Sequence, residues 1–219
     1  MLVDILRHGQ PQGGEVLRGR VDHPLADEGW RQMYASTGIN PAQASLESAP
    51  WTRVICSPLQ RCRQFAEKIS ADLKLPLSVE PDWQEIDYGI WDGMPVAQWR
   101  KEAAEQFKAF RQDMTALSPP QGESFVCFRD RVLTVWHQLS TTLSADEHVL
   151  LITHGGVMRV ILPTVLGIPL NQTGVLHIPF ACLSRIEVGR RDDQPFSTLL
   201  FHNSSLSARL GTRPGSEVP

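Results

Sequence analysis

Short apolar runs alternate with amphipathic stretches along the first two thirds of the chain. Leu2 to Leu6 is apolar apart from Asp4, and Arg53 to Cys56 and Val149 to Ile152 are similar runs. Each has the length of a strand, and each leads into a turn and then a helical pattern. The clearest helix spans Leu59 to Leu73, with apolar residues at 59, 62, 66, 69 and 73, a 3-4-3-4 spacing along one face. Ser57 suits its N-cap and Pro58 its first turn. Glu123 to Leu143 repeats the pattern through Phe125, Phe128, Val132, Val135, Leu139 and Leu143. Gly155 to Leu166 reads as a third helix, with Pro163 expected to kink it.

This strand–helix order predicts an α/β layer fold with a largely parallel sheet. The last third differs. Val175 to Ile178, Leu183 to Val188 and Ser197 to His202 read as short strands joined by turns, so part of the sheet is expected to run antiparallel. The residues after Ser204 are polar and rich in Gly and Pro, and read as a loose tail.

Composition narrows the field of functions. The chain has 219 residues, a formal net charge of -3 and 42% hydrophobic residues, which suits an ordinary globular domain without a basic nucleic-acid footprint. Any anion site must then be a local cluster. No stretch has the length of a signal peptide's apolar core or a membrane span. The four cysteines form no C-x-x-C pair and read as reduced cytoplasmic thiols. Nothing in the pattern speaks to an oligomeric state.

The chemistry sits where the strand-like runs end. The first run gives Arg7, His8 and Gly9; the second gives Ser57, Pro58 and then Arg61; the third gives His154, Gly155 and Gly156. Ligands of open α/β sheets lie outside the carboxyl ends of the strands. If the three strands are neighbours, two arginines and two histidines converge there with a helix N-terminus. Arginine forks and free helix N–H groups both suit phosphate, and glycines let the backbone approach it. A neutral imidazole can attack phosphorus and carry the phosphoryl group, with the arginines and the second histidine offsetting its charge. An acid is still needed for the leaving oxygen, and Glu85 and Asp87 are both candidates, since a neighbouring phosphate favours a protonated carboxyl. Gln10, Arg18 and Gly155 are candidate substrate contacts. Taken singly, each of these residues reads as ordinary; their coincidence at strand ends points to the site. His23, His137, His148, His177 and His202 lack that setting and read as structural or surface residues.

Rival chemistries lack their signatures. A cysteine-based phosphatase loop needs five residues between Cys and Arg, whereas Cys56 has four before Arg61 and six before Arg63. Asp-x-Asp, Walker and H-E-x-x-H motifs are absent. Zinc on His8 and His154 is disfavoured by the adjacent arginines. Binding alone would need the arginines but neither His8 nor Glu85, so a non-catalytic phosphate-binding module is the weaker reading.

The motifs together resemble the histidine phosphatase, or phosphoglycerate-mutase-like, superfamily. They are the triplet Arg7, His8, Gly9; Gly19 to Gly29 (GRVDHPLADEG); Ser57 to Arg61 (SPLQR) with Ala66 and Glu67; Glu85 to Gly93 (EIDYGIWDG); Gly122 to Ser124; and Thr153 to Gly156 (THGG). The resemblance implies a single three-layer α/β/α sandwich domain over 1–203, a substrate-covering insert over 88–124 and a tail over 204–219. It implies His8 as the phosphorylated nucleophile, with Arg7, Arg61 and His154 on the phosphate and Glu85 as proton donor. It implies a small phosphorylated substrate, no metal and no cofactor.

The branch with the most similar motifs is the alpha-ribazole phosphatases of cobalamin biosynthesis. A broad-specificity sugar or nucleotide phosphatase and a phosphohistidine protein phosphatase are the alternatives. Two departures stand out. The loop after Gly9 reads QPQGGE and lacks the Asn that touches phosphate in many members, and Phe65 replaces a usual Thr. Leaving-group choice is expected to lie in Tyr88 to Ser124, whose Trp91, Trp99, Phe107 and Phe110 either pack that stretch onto the sheet or stack on an aromatic leaving group.

Overall fold

The computed structural model describes residues 1–40, 42, 49–142, 144–191 and 194–205. Most of the tail, 206–219, and Leu143 lie outside the described residues. Six strands form one sheet: β1 (Leu2–Arg7), β2 (Arg53–Cys56), β3 (Leu77–Val79), β4 (His148–Thr153), β5 (Leu183–Arg191) and β6 (Gln194–Phe201), in the order β3-β2-β4-β1-β5-β6. The first four in that order are parallel, and β5 runs antiparallel to both β1 and β6.

Strand periodicity sorts side chains between two cores. Val3, Ile5, Val149 and Leu151 enter one apolar cluster, and Leu6, Leu150 and Ile152 enter the other. Helices α5 (Phe125–Thr142) and α6 (Gly155–Leu166) cover the first face; α1 (Asp27–Thr37) and α2 (Gln60–Leu73) cover the second. The result is the expected α/β/α sandwich with a mostly parallel sheet. β4 lies at its centre, and all six of its residues are buried.

Two local expectations change, and two elements gain definition. Ser57 does not cap α2: Leu59 stands at the N-cap, Pro58 precedes the helix, and the first helical N–H, of Gln60, is taken by Asp22 Oδ1 at 2.7 Å. Val175 to Ile178 is not a strand; a 3-10 turn covers Leu170–Val175, and the Ile178 carbonyl accepts from Arg7 Nη1 at 2.7 Å instead of a ladder partner. α6 runs on through Pro163 to Leu166. The stretch 88–124 carries two short helices, α3 (Val96–Glu102) and α4 (Ala104–Gln112). There Trp91 and Trp99 are buried in the first core, where Trp99 meets Phe107 edge to face at 5.2 Å.

Candidate active site

Register brings the three strand ends level. Arg7 pairs with Thr153 and Cys56 with Ile152, so His8, His154 and Ser57 emerge along one edge of β1, β4 and β2. Two backbone bonds hold that edge: His8 N–H to the Thr153 carbonyl and Ser57 N–H to the Ile152 carbonyl, both 3.0 Å. The His8 loop also crosses α1 at a bare glycine contact, since a Cβ on Gly9 would sit 2.2 Å from the Gly29 carbonyl oxygen. No larger residue fits at Gly9 without moving backbone.

His8 is 5% exposed, and its Nδ1 lies 2.8 Å from the Gly9 carbonyl. A carbonyl only accepts, so Nδ1 carries the proton and Nε2 keeps its lone pair. Burial, then the charges of Arg61 and Arg7, hold the His8 pKa well below the ordinary histidine range. His154 is fully buried beside it, with ring centroids 5.3 Å apart and planes near edge-on. Its Nε2 is 2.7 Å from Ser57 Oγ, and burial followed by the Arg61 charge lowers its pKa in the same way. Both imidazoles are therefore neutral around neutral pH.

The cations are fixed by backbone carbonyls. Arg61, fully buried, donates through Nη1 to Val21 O at 2.9 Å and through Nη2 to Gly19 O at 2.7 Å. Asp92 in turn holds that loop, accepting the N–H groups of Gly19, Arg20 and Val21 at 2.7, 2.8 and 2.6 Å. Arg7 stacks on Phe180, with Cζ 4.3 Å from the ring centroid; desolvation lowers its pKa to about 10, which leaves it charged. The Nε atoms of Arg7 and Arg61 are buried without hydrogen-bond partners. Such donors are costly to leave unpaired, and an anion would satisfy them.

Glu85 is 9% exposed and meets the opening of α6. Its Oε2 accepts from Gly156 N at 2.9 Å and its Oε1 from Ile86 N at 3.1 Å. Two backbone N–H groups, one of them at the opening of α6, thus hold its side chain in place.

A cleft of about 720 Å³ opens over this edge. Arg7, His8, Glu85, Gly155, Gln10 and Arg18 line it, as their sequence positions suggested. Arg61 and His154 are fully buried and do not line it. Asp87, the other candidate acid, is also absent from its wall; its Oδ1 accepts from Gly89 N at 2.8 Å. Arg18 is held by the carbonyls of Gln12 and Gly14, both at 2.8 Å, and by His23 Nδ1 at 3.2 Å. Of the five aromatics of the 88–124 stretch, Tyr88 and Phe110 reach the cleft and Trp91, Trp99 and Phe107 do not; Phe110 forms its apolar lining with Met114, Leu117, Phe125 and Phe128.

Three participants escaped the reading of the sequence. Ser57 was assigned to a helix cap, Asp92 to no role, and Arg159 to the body of a helix. Arg159 lines the cleft four residues after Gly155, a spacing that places both on one helix face and gave the available signal.

A family model of the histidine phosphatase superfamily (branch 1) matches residues 3–198, and the chain belongs to that superfamily. It is a phosphoric monoester hydrolase of that class. Over 205 residues it is 26% identical to the adenosylcobalamin/alpha-ribazole phosphatase of Escherichia coli strain K12, covering 91% of this chain and 94% of that one. It is 28% identical over 180 residues to the glucosyl-3-phosphoglycerate phosphatase of Mycolicibacterium vanbaalenii, covering 78% and 77%. The solved alpha-ribazole phosphatase of Shigella flexneri superposes with a TM-score of 0.77 at 25% identity, over 93% of this chain and 96% of that one. Among the described residues no helix is long and apolar enough to cross a membrane.

Proposed function

We propose that the protein is a metal-independent phosphomonoesterase working through a phosphohistidine on His8. The observation that carries this reading is the fixed tautomer of His8. Nδ1 is committed to the Gly9 carbonyl at 2.8 Å, so the Nε2 lone pair is free on the wall that also holds Arg7 and Glu85. In the first step Nε2 attacks phosphorus, the P–N bond forms and the bond to the leaving oxygen breaks. Glu85 gives that oxygen its proton, and the alcohol leaves. Water then attacks the phosphohistidine, Glu85 takes the water's proton, the P–N bond breaks and phosphate departs. Arg7 presents an unpaired Nε–H donor to the phosphoryl oxygens, Arg61, off the cleft wall, adds its charge beside His8, and His154 backs His8.

Labelled substrate and acid quench test the intermediate. Acid-labile, base-stable phosphate on His8, absent from His8→Ala together with turnover, is the expected result. Near wild-type activity in His8→Ala, or no such adduct during turnover, would overturn the reading.

For the substrate we propose alpha-ribazole 5′-phosphate, with alpha-ribazole as the leaving alcohol. The near full-length similarity to enzymes of that name supports it, as does the apolar end of the cleft, which suits a benzimidazole. Comparing kcat/KM for this ester, sugar phosphates, glucosyl-3-phosphoglycerate and a phosphohistidine protein decides it; equal values would sink the assignment. A cytoplasmic setting belongs to the same reading and accords with four free cysteines.

A further inference from the structure

Arg159 stands on the same face of α6 as Gly155, one turn further on, and lines the cleft half-buried. Its hydrogen bond is a long one, 3.4 Å from Nη1 to the Gly155 carbonyl. Among the described residues no carboxylate forms an ion pair with it. Its near neighbour is another cation. A Cβ built on Gly155 would lie 3.1 Å from Arg7 Nε and 3.4 Å from Arg159 Nη1, so two guanidiniums flank a single glycine.

Like charges this close repel, and burial strengthens the repulsion. The acid beside them is Glu85, whose oxygens are already engaged by the N–H groups of Ile86 and Gly156. Among the described residues Glu85 forms no ion pair with either arginine. Arg7 Nε is meanwhile buried and partnerless. The cluster lacks one anion.

We propose that Arg159 is a substrate-binding residue, closing with Arg7 on an anionic oxygen of the bound ester. This rests on the reading of the cleft as a phosphomonoester site. The oxygen has two possible sources: the phosphoryl group itself, or an acidic substituent such as a carboxylate on the leaving group. Guanidinium forks recognise both.

The test uses Arg159→Gln and Arg159→Lys in the full chain. Inorganic phosphate is titrated calorimetrically, and kcat/KM is measured for phenyl phosphate and for 3-phosphoglycerate, whose leaving groups are neutral and carboxylated. Removing a charge-assisted contact predicts a loss of roughly ten- to a hundredfold for Arg159→Gln, partly restored by lysine. If phosphate affinity and both esters fall together, the oxygen is the phosphoryl group's. If 3-phosphoglycerate alone falls, it belongs to the leaving group. Changes below about threefold in all three would overturn the proposal, provided the melting temperature shows a folded variant; a threefold change is only about 0.7 kcal/mol. Phosphate titration needs no turnover, so failure here stays distinct from failure of the phosphohistidine step, which labelling of His8 in the wild-type enzyme reports.

Discussion

Gly156→Ala separates the acid from the fold. A Cβ at this position would lie 2.0 Å from Glu85 Oε1, 3.0 Å from its Cδ and 3.3 Å from Oε2. Ordinary contact needs about 3.4 Å or more, so the carboxylate must retreat by more than an ångström and lose the 2.9 Å bond from Gly156 N. The obstacle is the end of a flexible side chain, and backbone need not move. Loss of one charged hydrogen bond costs about 1.5–3 kcal/mol, and alanine in place of glycine in a helix returns up to about 1 kcal/mol. The net change is on the order of 1–2 kcal/mol, or a few degrees in melting temperature for a chain of this size. Catalysis should fall much further, by about 10²- to 10⁴-fold, the usual worth of a positioned acid. The loss must depend on the leaving group. Release of 4-nitrophenol in the first turnover, which needs little protonation, should persist; an alkyl phosphate should suffer the full loss. Glu85→Gln added to Gly156→Ala should add little, because both remove one function. Equal losses for both esters would show that the cleft, and not the acid, had been damaged. An alkyl phosphatase activity within about threefold of wild type would refute Glu85 as the donor.

Three further outcomes follow from the same geometry. Asp92→Ala frees the N–H groups of Gly19, Arg20 and Val21, whose loop carbonyls position Arg61; denaturant unfolding should lose on the order of 2–4 kcal/mol, and kcat should fall even where the variant is folded. The acid limb of the rate profile should lie below the ordinary histidine pKa, because the nucleophile must be neutral and burial, then Arg61, depresses His8; Arg61→Gln should move that limb to higher pH, and an unmoved limb would dissociate it from His8. Asp4, fully buried, is bound by Arg185 at 2.7 and 2.9 Å and by Trp51 Nε1 at 2.8 Å, with His148 Nε2 3.1 Å away. Burial alone would raise its pKa, but the bonds from Arg185 and His148 leave it lowered; its contribution is complete above the ordinary carboxylate value and is lost as pH falls through the lowered one. Asp4→Asn should therefore show a flatter loss of stability on acidification, followed by thermal unfolding.

Much of this was legible along the chain because the decisive residues follow short runs that are apolar but for Asp4. Leu2 to Leu6 and Val149 to Ile152 can only be buried strands, so Arg7, His8 and His154 had to appear at their ends. The 3-4-3-4 spacing of α2 likewise placed Arg61 in its first turn. Other elements left weaker traces. α1 buries only Gly29, Met33 and Thr37, too thin a stripe to register as amphipathic, and β3 is three residues long. Val175 to Ile178 resembles a strand in composition, but its last carbonyl serves a guanidinium from a distant strand. The three missed participants share one cause. Ser57 bonds with a residue 97 positions away, and Asp92 reaches residues 71 to 73 positions away. Arg159 gains meaning only from its nearness to Arg7. Such partnerships are made by topology, which periodicity does not encode.

The topology also accounts for a histidine, and not a cysteine, in the proposed role of nucleophile. β4 lies between β2 and β1, so the site sits over the middle of the sheet, where burial is deepest. A cysteine thiol there is driven toward its unreactive protonated form: Cys62, whose Sγ lies 3.6 Å from His154 Nε2, has its pKa raised well above the ordinary value, largely by burial. The same burial, with fixed arginines nearby, drives an imidazole toward its neutral and nucleophilic form. The arginines cannot swing away to relieve their repulsion, since backbone carbonyls hold Arg7 and Arg61. Nor can the histidines take a proton to become cations among cations. The charge that completes the site must come from outside, and a phosphate ester would bring it together with the atom proposed for attack by His8.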